Sequence, residues 1–210
     1  MKRYLAILAL LPLLAMGGRQ QGMGPGPGMP ASSGGGGYSD NFPGSTLSGN
    51  WSYYTGTGYG APVVGSSQVY NDASGSNSNF LSYTGGTFGA NQTSQATIGP
   101  LSFSPSYYLT GQPAGVCIHT DTSGNGYCTS AYGIMKCTAT SCTVTACYAW
   151  YAAIGQVISI ANVGSALTMS ANGVTQCTAT DSTYTGGYPG LAIPGRLDGI
   201  YLSWSTWSGY

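Results

Sequence analysis

Few side chains in this sequence could perform acid–base catalysis. The chain has no Glu, and its acidic residues are five aspartates. Hydrolysis of a glycosidic bond needs two carboxyl groups beside that bond, one to protonate the leaving oxygen and one to attack the sugar or activate water. Only Asp181 and Asp198 lie near each other in the sequence, and the other acids are Asp40, Asp72 and Asp121. The sequence therefore predicts no glycoside hydrolase.

The chain has one histidine, His119, in the segment VCIHTD. A polysaccharide lyase needs a His or Tyr as base and acid, and His119 could be that base. Because successive side chains of a strand point to opposite faces, we expect His119 on the face of Cys117, away from Val116 and Ile118, looking into a groove. No G-x-S-x-G turn joins a predicted strand to a helix, so a serine hydrolase is not predicted. We predict that the chain is not an enzyme, with a lyase-like activity as the least favoured alternative.

Aromatic rings beside hydroxyls and amides are typical of glycan-binding sites, because a sugar packs on the ring and hydrogen-bonds to the polar groups. The hairpin register that pairs Cys137 with Cys142 also places Tyr132 roughly opposite Tyr148. We therefore expect a site on the cysteine-rich hairpins. The predicted ligand-binding residues are His119, Tyr132, Tyr148, Trp150 and Tyr151.

The six cysteines all lie between Cys117 and Cys177. Their spacings contain no C-x-x-C pair, and one histidine adds little, so a zinc site is not favoured. In an exported chain, cysteines pair as disulfides by default. The sequence therefore predicts a disulfide-stabilised domain.

Hairpin turns limit the pairing without fixing it. A turn near Thr122-Ser123 places Cys117 opposite another cysteine, whereas a turn centred on Gly124-Asn125 places it opposite Tyr132. Symmetric pairing around Ala139-Thr140 aligns the next two cysteines, which would be close enough to bridge. The favoured pairing, one of about fifteen that six cysteines allow, is Cys117–Cys128, Cys137–Cys142 and Cys147–Cys177.

Residues 1–17 have the features of a secretory signal peptide. Lys2 and Arg3 precede an apolar run from Leu5 to Met16, and small residues precede a cut after Gly17. The run is shorter than the ~20 residues of a membrane span, so we expect no span in the mature chain. Residues 18–37 are rich in Gly, Pro and Met, which predicts a flexible linker. We expect a secreted, extracellular protein with one folded domain over residues 38–210.

The composition limits the partners. Only 5% of the residues are charged and the formal net charge is zero. Such a surface has no field to attract phosphate groups, so nucleic acid is excluded as a partner. Ser, Thr, Asn, Gln and Tyr must provide solubility, and they suit neutral polar partners.

The folded part is built from short strands. Segments rich in Tyr, Thr, Val and Ile alternate with Gly, Ser and Asn clusters about every ten residues, and no helical period appears. Asn172-Gly173, between two alternating segments, is the preferred pair for a type I′ hairpin turn. This pattern predicts an all-β two-sheet sandwich or a barrel. The terminal segment SWSTWSGY either covers a sheet edge or fills the core.

Several segments in this order resemble one family: SDNF at 39–42, LSGNW at 47–51, FLSYTGGTF at 80–88, the stretch 165–193 and RLDG at 196–199. The chain resembles the concanavalin A-like lectin/glucanase superfamily, in its LamG-like branch. The resemblance implies an antiparallel two-sheet jelly-roll sandwich with one concave face often used for glycan, and Trp51 in the core. It does not imply catalysis, and the Glu pair of the glucanases is missing.

The resemblance also implies that the first and last strands are neighbours. Asp40 and Asp198 would then provide oxygen ligands for a structural Ca²⁺. The alternative is that each Asp caps a turn or accepts backbone hydrogen bonds. No other cofactor is expected.

Together these features predict a secreted, non-catalytic, lectin-like domain that binds carbohydrate. Its partner would be a neutral glycan or a component of the extracellular matrix. The alternative is a structural or adhesive protein that self-associates, because little charge opposes association.

Overall fold

The structure is a computed structural model. It describes residues 37–55, 60–72, 78–100, 114–130, 132–139, 141–147, 153–195 and 202–210. These residues belong to one compact unit, 31–210. They contain strands and turns and no helix, so none of the described residues forms a helix that could cross a membrane.

Alternation of apolar and polar residues produces the strands, which are bounded by Gly, Asn and Ser. In chain order they are β1 Tyr38–Asp40, β2 Trp51–Tyr54, β3 Val63–Gly65, β4 Gln68–Tyr70, β5 Ser78–Tyr83, β6 Thr93–Ile98, β7 Gly115–Thr120, β8 Gly126–Ser130, β9 Gly133–Thr138, β10 Ser141–Ala146, β11 Val157–Val163, β12 Ala166–Ala171, β13 Val174–Thr180, β14 Tyr188–Pro194 and β15 Trp204–Gly209.

The strands form two antiparallel sheets. Sheet A has eight strands in the order β13-β12-β11-β6-β15-β4-β3, with β1 also paired to β15. Sheet B has seven strands in the order β10-β9-β8-β7-β14-β5-β2. The predicted two-sheet antiparallel jelly-roll sandwich is therefore confirmed.

The main core lies between the sheets. Trp51 of sheet B packs edge-on against Trp207 of sheet A, with ring centroids 4.7 Å apart. Trp204 is fully buried, and Leu81 and Leu191 pack in the same cluster. Trp51 is thus a core residue as expected, and the C-terminal segment fills the core rather than covering an edge.

Two hairpin turns follow their sequence signals. Asn172 and Gly173 have φ values of 49° and 77° between β12 and β13, as a type I′ turn requires. Residues 122–124 form the turn between β7 and β8, which aligns Cys117 with Cys128. The register left open by the sequence is therefore the one that pairs these cysteines.

Three disulfides stabilise the sandwich, and they are the pairs favoured from the sequence. Two of them join neighbouring strands of sheet B, whereas the third joins the end of β10 in sheet B to β13 in sheet A. The bonds are Cys117–Cys128, Cys137–Cys142 and Cys147–Cys177.

Candidate functional site

His119 does not line a groove, contrary to the expectation from strand alternation. It has a φ of 55°, and the pairing of β7 with β14 shifts register beside it. This bulge breaks the alternation. The ring turns toward Tyr127 in the core between the sheets, at 6.1 Å between ring centroids, while Cys117 packs in a separate cluster. His119 is only 2% exposed.

The surroundings of His119 also disfavour a role as a catalytic base. Burial lowers the pKa of His119, and the nearby Asn162 side chain and Gly186 backbone oppose this only in part. Neither ring nitrogen makes a hydrogen bond with good geometry to any part of the described structure. An imidazole that is 2% exposed does not reach a substrate, so the geometry disfavours the residue on which the lyase alternative depended.

The cysteine-rich hairpins form a buried apolar cluster instead of an open groove. By alternation, this cluster lies on the face of sheet B that points away from the main core. Its members are at most 5% exposed. They are Phe80, Cys117, Cys128, Met135, Cys137 and Ala192.

The remaining predicted ligand-binding residues are not brought together by the described structure. Tyr132 lies half-buried in the turn between β8 and β9, where its backbone N–H donates to Ser130 Oγ. Tyr148, Trp150 and Tyr151 lie outside the described residues. The predicted aromatic pair Tyr132 and Tyr148 therefore stays a prediction.

Asp40 has a structural role, because its side chain links β1 of sheet A to Trp51 of sheet B. Its carboxylate accepts hydrogen bonds from the backbone N–H of Phe42 at 2.6 Å and from Trp51 Nε1 at 2.8 Å. Asp198, its predicted partner in a calcium site, lies outside the described residues, which hold no cluster of three or more His, Cys, Asp or Glu side chains suited to a metal. The bonds of Asp40 match the structural alternative that the sequence left open.

Asp181 and Asp121 also have structural partners. Asp181 accepts hydrogen bonds from Tyr127 Oη and from Lys136 Nζ. Burial alone would raise the pKa of Asp181, but hydrogen bonds from Thr183, Tyr127 and Lys136 outweigh burial and hold this pKa well below its ordinary value. Asp121 Oδ1 accepts from two backbone N–H groups of its own turn. Asp181 therefore connects its loop to β8 and β9, and Asp121 stabilises the turn between β7 and β8.

A different surface has the features of a binding site, namely the outer face of sheet A. Pairing of β1, β15, β6 and β11 aligns Ser39, Ser208, Gln95 and Ser159 directly opposite one another. Two residues away along each strand, and therefore on the same face, a second row contains Thr206, Thr97 and Val157. Their chain neighbours, such as Trp207, Ala96 and Ile158, are buried in the core, so both rows point outward.

The two rows enclose a shallow depression of about 240 Å³. This volume is below the ~300–1,000 Å³ of ordinary small-molecule pockets, so a ligand would lie across the surface rather than inside a cavity. We call this surface the hydroxyl face. The residues of the two rows that line the depression are Ser39, Gln95, Thr97, Val157, Thr206 and Ser208.

The hydroxyl face is neutral and offers hydrogen-bonding groups to solvent. Thr206 Oγ1 donates to Thr97 Oγ1 at 2.7 Å. The side chains of Ser39, Ser208 and Gln95 make no hydrogen bond to any described residue, and none of the charged residues in the described ranges lies on this face. In the sequence, the polar residues at alternate positions of segments such as TSQATI indicate a polar strand face. Only the register of the strands shows that these residues align with polar residues of neighbouring strands.

No protein-family model and no curated protein matches the sequence. Among solved structures, the chain is similar to carbohydrate-binding module CBM66 from Bacillus subtilis, with 16% identity, a TM-score of 0.49, and 76% of this chain and 90% of that chain covered. It is also similar to the VIP36 exoplasmic/lumenal domain, with 9% identity, a TM-score of 0.48, and 82% and 90% covered. A third similar structure is domain 4 of AbnA, an extracellular GH43 arabinanase from Geobacillus stearothermophilus, solved in complex with arabinotriose. Its identity is 10% and its TM-score is 0.37, with 85% of this chain and 82% of that chain covered. Similarity this distant assigns neither a family nor a ligand to this chain.

Proposed function

We propose that the protein is a secreted, non-catalytic carbohydrate-binding domain that binds a neutral glycan on the hydroxyl face. The observation that carries this proposal is the pair of uncharged rows around the depression. A sugar is a neutral polyol, and hydroxyl and amide groups supply both the donors and the acceptors that it needs. Val157 in the second row adds an apolar contact for the C–H groups of a sugar ring.

The absence of charge supports a glycan over other polar ligands. Phosphate and carboxylate ligands are bound through Arg, Lys or backbone N–H clusters, and the described hydroxyl face offers no cationic side chain. Of the four described aspartates, Asp40, Asp121 and Asp181 are engaged in structural hydrogen bonds, and Asp72 is an exposed loop residue. These features favour binding without catalysis.

Secretion is supported by the disulfides. Disulfides persist in oxidising compartments, and Cys117, Cys128 and Cys137 are fully buried bridge partners. The proposed signal peptide at residues 1–17 and the linker at 18–37 lie outside the described residues.

Affinity electrophoresis of the full chain in gels that contain laminarin, xylan, arabinan or galactomannan tests the proposal. Retarded migration in at least one gel is expected, followed by calorimetry with the matching oligosaccharides. Gln95→Ala removes an amide with up to two hydrogen bonds of about 1 kcal/mol each, so affinity should fall roughly tenfold. Asn91→Ala, at an exposed amide whose Oδ1 accepts a hydrogen bond from the Gly164 N–H outside both rows, is the matched control and should bind normally.

Two results would overturn the proposal. If Gln95→Ala binds every retained polysaccharide as well as the native chain, the site is not on the hydroxyl face. If no neutral polysaccharide is retained and light scattering shows oligomers that grow with concentration, the adhesive, self-associating alternative replaces glycan binding.

A further inference from the structure

The first row of the hydroxyl face continues beyond the depression. Ser159 on β11 lies directly opposite Ser170 on β12, and Ser170 pairs with the exposed Thr175 on β13, beside a bulge where the register of β12 and β13 shifts. One register position therefore carries a polar side chain on six consecutive strands. We call this set the long row: Ser39, Ser208, Gln95, Ser159, Ser170 and Thr175.

The flanking rows are interrupted. On one side the row of Thr206 and Thr97 reaches Val157 on β11. On the other side the row that contains Thr168 and Thr178 has Ala161 on β11. The long row is thus bordered at its centre by apolar side chains, which suit the C–H faces of sugar rings.

We propose that the ligand is a linear neutral polysaccharide that runs perpendicular to the strands along the long row. This inference rests on the proposed function. Neighbouring strands are ~4.8 Å apart, so the six positions span roughly 24 Å. The strand spacing is comparable to the rise per sugar in an extended pyranose polymer, so successive sugars would lie in register with successive positions of the long row.

Exposure along the long row indicates which contacts matter most. Ser39 and Thr175 at its ends are exposed, and Gln95 and Ser208 are half-buried. Ser159 and Ser170 are 5% and 8% exposed and form the floor between them. The ends and the amide are therefore the positions most accessible for hydrogen bonds to a long ligand.

The twist of the sheet distinguishes a soluble polysaccharide chain from a crystalline polysaccharide surface. Neighbouring strands rotate by about 20–25°, which turns a row over five strand steps by roughly 100°. A soluble single chain can follow this rotation, whereas a flat crystalline polysaccharide surface contacts only part of the row. The ligand is therefore a soluble chain.

Length dependence tests this inference. Calorimetry on the full chain compares the disaccharide and the hexasaccharide of the polysaccharide retained in the gels. Thr175→Val keeps the side-chain shape and removes one hydroxyl, so affinity for the hexasaccharide should fall roughly three- to tenfold with no change for the disaccharide. Thr178→Val, on the same exposed strand and face but outside the long row, is the control and should change neither affinity.

The outcomes separate this inference from the proposed function. If Gln95→Ala weakens both oligosaccharides while Thr175→Val weakens neither, the glycan site stands and the polymer does not run along the long row. Equal weakening by Thr175→Val and Thr178→Val would also refute the long row. If Gln95→Ala has no effect, or no polysaccharide binds, the site itself is wrong and the inference falls with it. Retention on crystalline cellulose as strong as on the soluble chain would contradict the selection by twist.

Discussion

Removal of the Cys147–Cys177 bridge should cost more stability than removal of a hairpin bridge. This bridge joins the two sheets and spans 30 residues of sequence, whereas Cys137–Cys142 spans 5. In the chain-entropy relation, a closed loop of these lengths stabilises the native state by about 3.6 and about 2.1 kcal/mol at 25 °C. The double variant Cys147→Ala/Cys177→Ala should therefore lose about 1.5 kcal/mol more than Cys137→Ala/Cys142→Ala.

The two double variants form a matched comparison. Each removes one buried sulfur, Cys177 at 3% and Cys137 at 0% exposure, and one more accessible sulfur, so the packing losses are similar. Urea unfolding at neutral pH, followed by tryptophan fluorescence, gives the free energy of unfolding of each variant and of the native chain. If the hairpin variant is destabilised as much as or more than the inter-sheet variant, loop length does not determine the stabilisation and the reasoning is refuted.

Further predictions concern the core. Burial holds the pKa of His119 below its ordinary value of 6.5, so as the pH falls the unfolded chain takes up a proton at this residue before the folded chain does. The free energy of unfolding should therefore decrease from pH 6.5 down to the folded-state pKa. The urea midpoints of the His119→Asn variant should lack this decrease. A native chain with equal midpoints at pH 7.5 and 5.5 would contradict it. The Gly190→Ala variant would place a methyl group against the backbone oxygen of Leu81, which should lower the free energy of unfolding by about 2 kcal/mol. The control variant Gly186→Ala, whose added Cβ has nothing within 4 Å, should be nearly neutral. Equal thermal midpoints of the two variants would refute the prediction.

The sequence predicted those features that depend on short-range pattern. Alternation and turn residues indicate strands without reference to distant partners, so the sandwich followed from them. The pair Cys137 and Cys142 flanks one tight turn, which makes their alignment a local property. The Asn172-Gly173 turn was predictable for the same reason.

The candidate site was not predictable because it depends on long-range register and on one local irregularity. Ser39, Gln95 and Ser208 come from distant parts of the chain and align only after β15 pairs with β1 and β6. His119 was placed on the wrong face because a single bulge reverses the alternation. A bulge has no reliable sequence signal when its residue is not glycine.

Strand β15 has a consequence for biosynthesis. It is the last of the described strands in chain order, yet it lies inside sheet A and pairs with β1, β4 and β6. Tyr38 meets Gly209 across this pairing, and contacts between such distant segments form late in folding. Sheet A therefore stays incomplete until this strand has left the ribosome. Synthesis that stopped before Trp204 would leave β1 without the strand it pairs with and the core without two of its tryptophans, Trp204 and Trp207.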